Sequence, residues 1–388
     1  MKKIILFFVL LLPIFLLSQE KSFATENPLN SPNNKFGVHI LFTSELSGAA
    51  SLVNSGGGDW GYVTIPIQAG DKDFEKWQSF MDMARQLHII PIIRLATEID
   101  YFDTKVWKKP TQDDVLDFAN FLNSLDWPIK NRYIVVFNEV NRSDEWVGDP
   151  NPGEYAQILS YAVDVFKSRS QDFFIISAGL DNASETAPGQ SINEYTYLRE
   201  MNIATPGIFH QIDGLASHSY PNPGFREPPW VLTNKSISSF RYEKYLADVL
   251  GNKDLPIFIT ETGWSLNSVS QDQVGYYYRV AFDSVWSDNS VVAVTPFLLR
   301  AGAGSFTQFS FIDNNGNKSQ QYQVFENIPK QKGFPILNDA SKFSGSYIIA
   351  NNIKNMVPTK KFLFDDSVTT LITIPKDTIR FFKWLLGI

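Results

Sequence analysis

Eight short runs of β-branched and aliphatic residues recur along the chain, each followed by a stretch whose apolar residues fall at helical spacing. The runs are FGVHIL (36–41), YVTIPI (62–67), IIPIIRL (89–95), YIVVFN (133–138), FFIISA (173–178), IDGLASH (212–218), IFITE (257–261) and VVAVTPF (291–297). Helical spacing fills the intervals at 45–53, 74–87, 115–125, 155–168, 193–202, 238–250 and 271–286, with an eighth segment at 320–326. Strand then helix, eight times over, is the requirement of a (β/α)8 TIM barrel, and near-continuous apolar strands suit a parallel sheet covered on both faces. A doubly wound open sheet is the other α/β architecture this alternation permits. The stretch GGGDWG (56–61) matches G-x-G-x-x-G, but it precedes a strand instead of joining a strand to a helix, so it is not read as a nucleotide loop.

The rest of the chain frames that unit. Residues 1–24 read as an export signal: Lys2 and Lys3 precede an apolar run at 4–17, and Ser22 and Ala24 precede a cleavage point after Ala24. The apolar run is shorter than the roughly 20 residues a spanning helix needs, which favours a signal peptide over an uncleaved anchor. The protein is therefore expected to be secreted or extracytoplasmic, with membrane anchoring by an uncleaved N-terminal segment as the alternative. An Asn/Pro-rich spacer (25–35) leads into the barrel (36–333), and a small C-terminal extension (334–388) ends in DTIRFFKWLLGI. That last segment reads as a helix docking on the barrel or as an interfacial helix, so membrane contact is expected only there or at the N-terminus. A net charge of -7 leaves no basic stripe for a polyanion, which argues against nucleic acid as a partner. The chain has no cysteine and four scattered histidines, so no metal or organic cofactor is expected.

In a parallel barrel every strand's C-terminal end opens on one face, so residues at those ends converge whatever their distance in sequence. Strand four ends in VVFNEVN, which places Asn138 and Glu139 at the rim, and strand seven ends in Glu261. Two carboxylates facing each other over a cleft are the minimum apparatus for glycoside cleavage, one protonating the departing oxygen and the other attacking the anomeric carbon or activating water. A lone strand-end glutamate is more often an ion pair, and Arg94 at the end of strand three would supply one for Glu261. Against that stands the coincidence of Asn-Glu, His-x-Tyr and Thr-Glu at the ends of strands four, six and seven.

These strand ends carry a family resemblance. FNEVN (137–141) resembles the acid/base motif, and TETGW (260–264) the nucleophile motif, of the clan A glycoside hydrolases, retaining β-glycosidases on a (β/α)8 barrel. The nearest likeness is to families 39 and 5, over residues 36 to about 310. The resemblance implies that Glu139 is the general acid/base, that Asn138 binds a sugar 2-hydroxyl, and that Glu261 is the nucleophile. SHSY (217–220) resembles the segment whose histidine and tyrosine support the nucleophile, implying such roles for His218 and Tyr220. Arg94 resembles the arginine that holds the nucleophile ionised, a residue that in that group usually sits elsewhere in the barrel. Two features depart from the pattern: Val140 follows the Asn-Glu pair where proline is commoner, and strand eight runs into TPFLLRAG without the tryptophan that often floors the sugar site. Trp264, Trp146, Trp230 and Phe306 are candidates to stack on sugar rings. Glu45, Glu98, Asp100 and Asp181 have no such support and read as solvated loop residues or substrate ligands. The implied activity is retaining cleavage of β-glycosidic bonds in an oligo- or polysaccharide, with a raised pKa expected at Glu139. The alternative from another class is a non-catalytic polysaccharide-binding barrel in cell-surface glycan assembly or export.

Overall fold

Each of the eight runs forms a strand in the computed structural model, which describes residues 25–98, 107–302 and 304–338. The strands are β1 (Gly37–His39), β2 (Gly61–Gln68), β3 (Ile89–Ala96), β4 (Arg132–Val135), β5 (Phe173–Ile176), β6 (Leu215–His218), β7 (Ile257–Glu261) and β8 (Val291–Val294). A helix follows every one: α1 (Leu46–Val53), α2 (Phe74–Gln86), α3 (Gln112–Ser124), α4 (Pro152–Arg169), α5 (Glu194–Ala204), α6 (Ser239–Gly251), α7 (Gln271–Val280) and α8 (Gln320–Asn327). α7 continues through a π turn at Ala281–Val285.

All strand pairs are parallel, in the orders β1-β2-β3-β4-β5 and β6-β7-β8. Single parallel bridges join the two groups at both seams, Ile176 to Gly214 and Phe36 to Val294. First strand therefore meets last, which a doubly wound open sheet does not allow, and the architecture is a (β/α)8 barrel. Strand alternation sends Tyr62, Ile92, Tyr133, Phe174 and Phe258 into the barrel interior. The intervening residues, among them Val63, Ile93, Ile134, Ile175 and Ile259, pack beneath the helices. Each such large side chain contributes about 1.5–3 kcal/mol when fully buried.

The segment expected to be a spacer is part of the barrel floor. Inward-facing polar groups at the N-terminal end of the barrel need partners, and this segment supplies them: Tyr62 Oη donates to Asn33 Oδ1 at 2.8 Å, and Glu26 N donates to Asn131 Oδ1 at 3.0 Å. Residues just past the barrel join it, with Phe334 N donating to Pro32 O at 2.9 Å and Lys130 N to Ile336 O at 2.8 Å. GGGDWG is the turn entering β2, with Gly56 and Gly57 at φ 59° and 88°. The export segment and the C-terminal DTIRFFKWLLGI lie outside the described residues. Among the described residues no helix is long and apolar enough to cross a membrane.

Candidate active site

The open end of the barrel holds a cavity of about 430 Å³, lined by the predicted Arg94, Asn138, Glu139, Tyr220 and Glu261. β3 delivers Arg94 and β7 delivers Glu261; β6 delivers His218, with Tyr220 just beyond its end. Arg94 Nη1 donates to Glu261 Oε1 at 2.8 Å and also to Asn138 Oδ1. Tyr220 Oη donates to Glu261 Oε2 at 3.0 Å. His218 Nδ1 stands 2.9 Å from Glu139 Oε1 and 3.8 Å from Glu261 Oε2, so one ring spans the carboxylate pair. One oxygen of Glu139, one of Glu261 and a ring nitrogen of His218 all lie within 4.8 Å of one another.

The chain leaving β4 takes an unusual path to achieve this. Phe137 and Glu139 have φ of 69° and 37°, in the left-handed region that non-glycine residues occupy at a cost of about 1 kcal/mol or more. Glu139 N donates to Gly179 O at 2.9 Å, and Arg142 N returns to Glu139 O at 2.9 Å, fixing the turn. Its result is that Arg142, unanticipated from sequence, donates from Nη1 to Glu139 Oε2 at 2.9 Å and holds Asp144 through Nε and Nη2 at 3.0 and 2.7 Å.

These contacts set the protonation states. Burial alone would raise Glu139, but Arg142, His218 and Arg94 together hold it at about 2. The raised pKa expected for this residue is thus corrected: the free protein keeps it ionised. Burial opposes charge on His218, yet Glu261 and hydrogen-bonded Glu139 more than offset it and raise its pKa. Burial and the neighbouring carboxylates push Tyr220 well up, leaving a phenol that only donates. His39, on β1 with Nε2 3.8 Å from Glu261 Oε1, is held well below its usual value by burial, Arg94 and His218, and is neutral. Its position in the same inward-facing register as Arg94 was the available sequence signal.

Glu139, His218 and Glu261 offer a spacing that a metal ion would accept. Their counter-charge is already supplied by protein cations, Arg142 on one carboxylate and Arg94 on the other, so a further cation would meet repulsion.

Three aromatic expectations are corrected. Trp264 is fully buried: its Nε1 donates to Glu227 O at 2.8 Å and its ring packs edge-on against Tyr278 at 5.1 Å, with no face toward the cavity. Trp146 contributes to the cavity wall, but it is only 1% exposed, wedged against Phe137 and Tyr155, and presents no open platform. Trp230 is exposed and packs edge-on on Tyr277, outside the cavity lining. Phe306 does line the cavity, with Phe297 beside it at 5.2 Å. Phe297, just past β8, stands where the resemblance would favour a tryptophan. Asp181 and Glu145 are further wall carboxyls, whereas Glu45 turns back to accept from Leu41 N and Phe42 N; Asp100 lies outside the described residues.

No family model and no curated protein matches the sequence. Its backbone is similar to solved structures. One is a family 39 glycoside hydrolase from the gut symbiont Bacteroides cellulosilyticus, at 14% identity and a TM-score of 0.55, over 79% of this chain and 65% of that one. A family 39 β-xylosidase from Caulobacter crescentus matches at 12% identity and 0.53, over 79% and 72%. A glycoside hydrolase of family 5, subfamily 18, from Bifidobacterium longum subsp. infantis matches at 11% and 0.52, over 76% and 78%. The chain thus spans just under two thirds of the first of these. At such identities the likeness is one of fold, and the fold is that of the clan A families whose strand-end motifs the sequence resembles.

Proposed function

We propose that this chain is a glycoside hydrolase that cleaves β-glycosidic bonds of an oligo- or polysaccharide by retaining double displacement, acting outside the cytoplasm. The observation that carries the reading is the approach of Glu139 and Glu261 oxygens to within 4.8 Å. Retaining enzymes hold their carboxyls about 5–5.5 Å apart, whereas inverting ones need about 6.5–9.5 Å to admit a water. Glu261 is the nucleophile: Arg94 and Tyr220 occupy one lone pair on each oxygen and orient the carboxylate. Its attack on the anomeric carbon forms a glycosyl ester while Glu139 passes a proton to the departing oxygen. Water, deprotonated by Glu139, then attacks that carbon and releases Glu261 with configuration retained. Phe297 and Phe306 offer the apolar wall against which a sugar face packs. Asn138, whose Oδ1 is taken by Arg94, keeps its amide nitrogen for a sugar hydroxyl.

One observation favours the second reading, a polysaccharide-binding barrel without turnover: Arg142 and His218, hydrogen-bonded to the two oxygens of Glu139, favour its ionised form, whereas an acid must carry a proton. Activated aryl β-glycosides and a fluorosugar inactivator separate the two. Turnover with retention, and stoichiometric labelling that is lost in Glu261→Gln, supports the enzyme; glycan binding with neither supports the binder.

A further inference from the structure

Arg142 meets three carboxylates of the cavity wall with one guanidinium, and it holds them unequally. Nε and Nη2 donate to the two oxygens of Asp144 at 3.0 and 2.7 Å, a two-point grip. Nη1 donates to Glu139 Oε2 at 2.9 Å and lies 3.9 Å from Asp181 Oδ2. Rotation about the grip on Asp144 need bring Nη1 only about 1 Å closer to Asp181 to exchange one partner for the other. The backbone on both sides is fixed. Asn141, fully buried beside Arg142, accepts from Asp181 N at 3.0 Å and donates to Asp181 O at 3.1 Å, and Arg142 forms an antiparallel bridge with Ser191. Asp181 Oδ1 accepts from Ala183 N at 2.8 Å and Oδ2 from Ser184 Oγ at 2.7 Å. The part with room to turn is the Arg142 side chain, which is 37% exposed.

We propose that Arg142 is a positioning residue that switches Glu139 between its two protonation states, pairing with Glu139 in the free protein and with Asp181 once a leaving-group sugar occupies the cavity. The inference rests on the assignment of Glu139 and Glu261 above and answers its one difficulty, the donors that favour ionised Glu139. Besides Arg142, the charged groups facing Glu139 are Arg94 from β3, His218 from β6, Glu261 from β7, Asp181 past β5 and Glu145 on its own turn. With Nη1 on Asp181, the guanidinium charge serves that carboxylate, and burial and the remaining carboxyls shift Glu139 toward its protonated form. The substrate supplies the drive: a glycosidic oxygen is an acceptor, repelled by an ionised Oε2 but hydrogen-bonded by a protonated one. Glu139 then takes one proton from solvent. In the first step the bond from the anomeric carbon to the leaving oxygen breaks, its electron pair stays on that oxygen, which receives the Glu139 proton, and the new bond forms to Glu261. In the second, Glu139 accepts a proton from the attacking water and Glu261 leaves as a carboxylate. Product release returns Nη1 to Glu139 and the proton to solvent, so no net proton is consumed.

The test is the pH dependence of kcat/KM on phenyl and dinitrophenyl glycosides for the wild type, Asp181→Asn, Arg142→Gln and the double variant. Asp181→Asn keeps an acceptor for Ala183 N and a partner for Ser184 Oγ but cannot take the charge, so Arg142 stays on Glu139. At pH 7 its loss on the phenyl substrate, whose leaving group needs a proton, is about 10²-fold and exceeds its loss on the dinitrophenyl substrate at least about tenfold. Arg142→Gln moves the alkaline limb on the phenyl substrate up by about one pH unit or more. In the double variant the phenyl rate returns to within about threefold of Arg142→Gln alone, because the Asp181 effect acts through Arg142. Fluorosugar labelling of Glu261 shows that each variant is folded; if Arg142→Gln does not label, the contrast between substrates in Asp181→Asn decides. Equal losses on both substrates in Asp181→Asn, or a loss that Arg142→Gln does not relieve, overturns the switch alone. Absence of both turnover and labelling in the wild type overturns the switch and the glycosidase reading together.

Discussion

Arg142 stands 2.9 Å from Glu139, and the unfolded chain has no such pair, so Glu139 binds its proton more weakly in the folded protein. Its folded pKa of about 2 lies below an unfolded value of roughly 4.3. The stabilisation is therefore full above about pH 5 and is lost as pH falls toward 2. Arg142→Gln should remove most of it. With the Arg142 side chain 37% exposed, solvent screening limits the loss to about 1–2 kcal/mol at pH 7, closing as pH approaches 2. Urea midpoints at pH 7 and pH 3 measure this, and an equal gap at both would refute it. Glu243 behaves in the opposite sense. It is buried behind β6, its Oε1 accepts from Ser217 Oγ at 2.8 Å and Ser239 Oγ at 2.9 Å, and burial pushes it up to about 7. A raised carboxyl favours folding when protonated, so its contribution declines as pH rises from about 4.5 through 7. Glu243→Gln keeps an acceptor for both serines and has no charge to bury. It should match the wild type near pH 4 and exceed it by on the order of 2 kcal/mol at pH 8. Thermal melts at the two pH values decide the matter, and a variant destabilised at pH 8 would contradict it.

Neighbouring strands control one another's site residues through small side chains. Gly179 lies just past β5, and a methyl group there would overlap the ring of His218, which ends β6, coming within 2.5 Å of Nε2. Gly179→Ala should drive His218 away from Glu139. A displacement of that order lowers kcat/KM of the proposed glycosidase by about 10²-fold, with far-UV circular dichroism unchanged. Near-wild-type turnover would show that the ring has room to give. The same dependence on elements explains what the sequence disclosed. Arg94, Asn138, His218, Tyr220 and Glu261 sit on strands or immediately past them, and the strands are legible from runs such as IIPIIRL and IFITE because burial on both faces demands such composition. Arg142 and Glu145 come from NRSDEW (141–146), where polar residues give no period. They reach the cavity because of the left-handed turn at Phe137 and Glu139, and that turn is held by Gly179 O, a contact across 40 residues. The indole of Trp264 is a similar case. Its position after β7 is readable, but its inward rotation depends on the carbonyl of Glu227.

Closure of the barrel depends on contacts between chain segments far apart in sequence. At the β8–β1 seam, Val294 N donates to Lys35 O at 2.8 Å and His39 N to Pro296 O at 3.0 Å, so the strand that carries His39 is positioned by the last strand of the ring. Lys330 reinforces closure on the outside. Its Nζ donates to Phe325 O at 2.7 Å, Ile328 O at 3.1 Å and Glu326 O at 3.2 Å, carbonyls at the C-terminal end of α8, and to Ser55 Oγ at 3.0 Å in the turn after α1. One ammonium thus satisfies the end of the eighth helix and ties it to the first unit. Its stem passes over Phe36, with Nζ 4.8 Å from the ring centre, beside the seam bridge of Phe36 to Val294. Lys330→Met preserves the apolar stem and deletes the donors, leaving carbonyls that α8 cannot satisfy alone. The expected destabilisation is about 2 kcal/mol, which lowers Tm by about 3 °C in a domain of this size. Because the lost bonds join the last unit to the first, limited proteolysis of the variant should cut first near α8. An unchanged Tm would mean that the strand bridges at the seam hold the ring closed without the clasp.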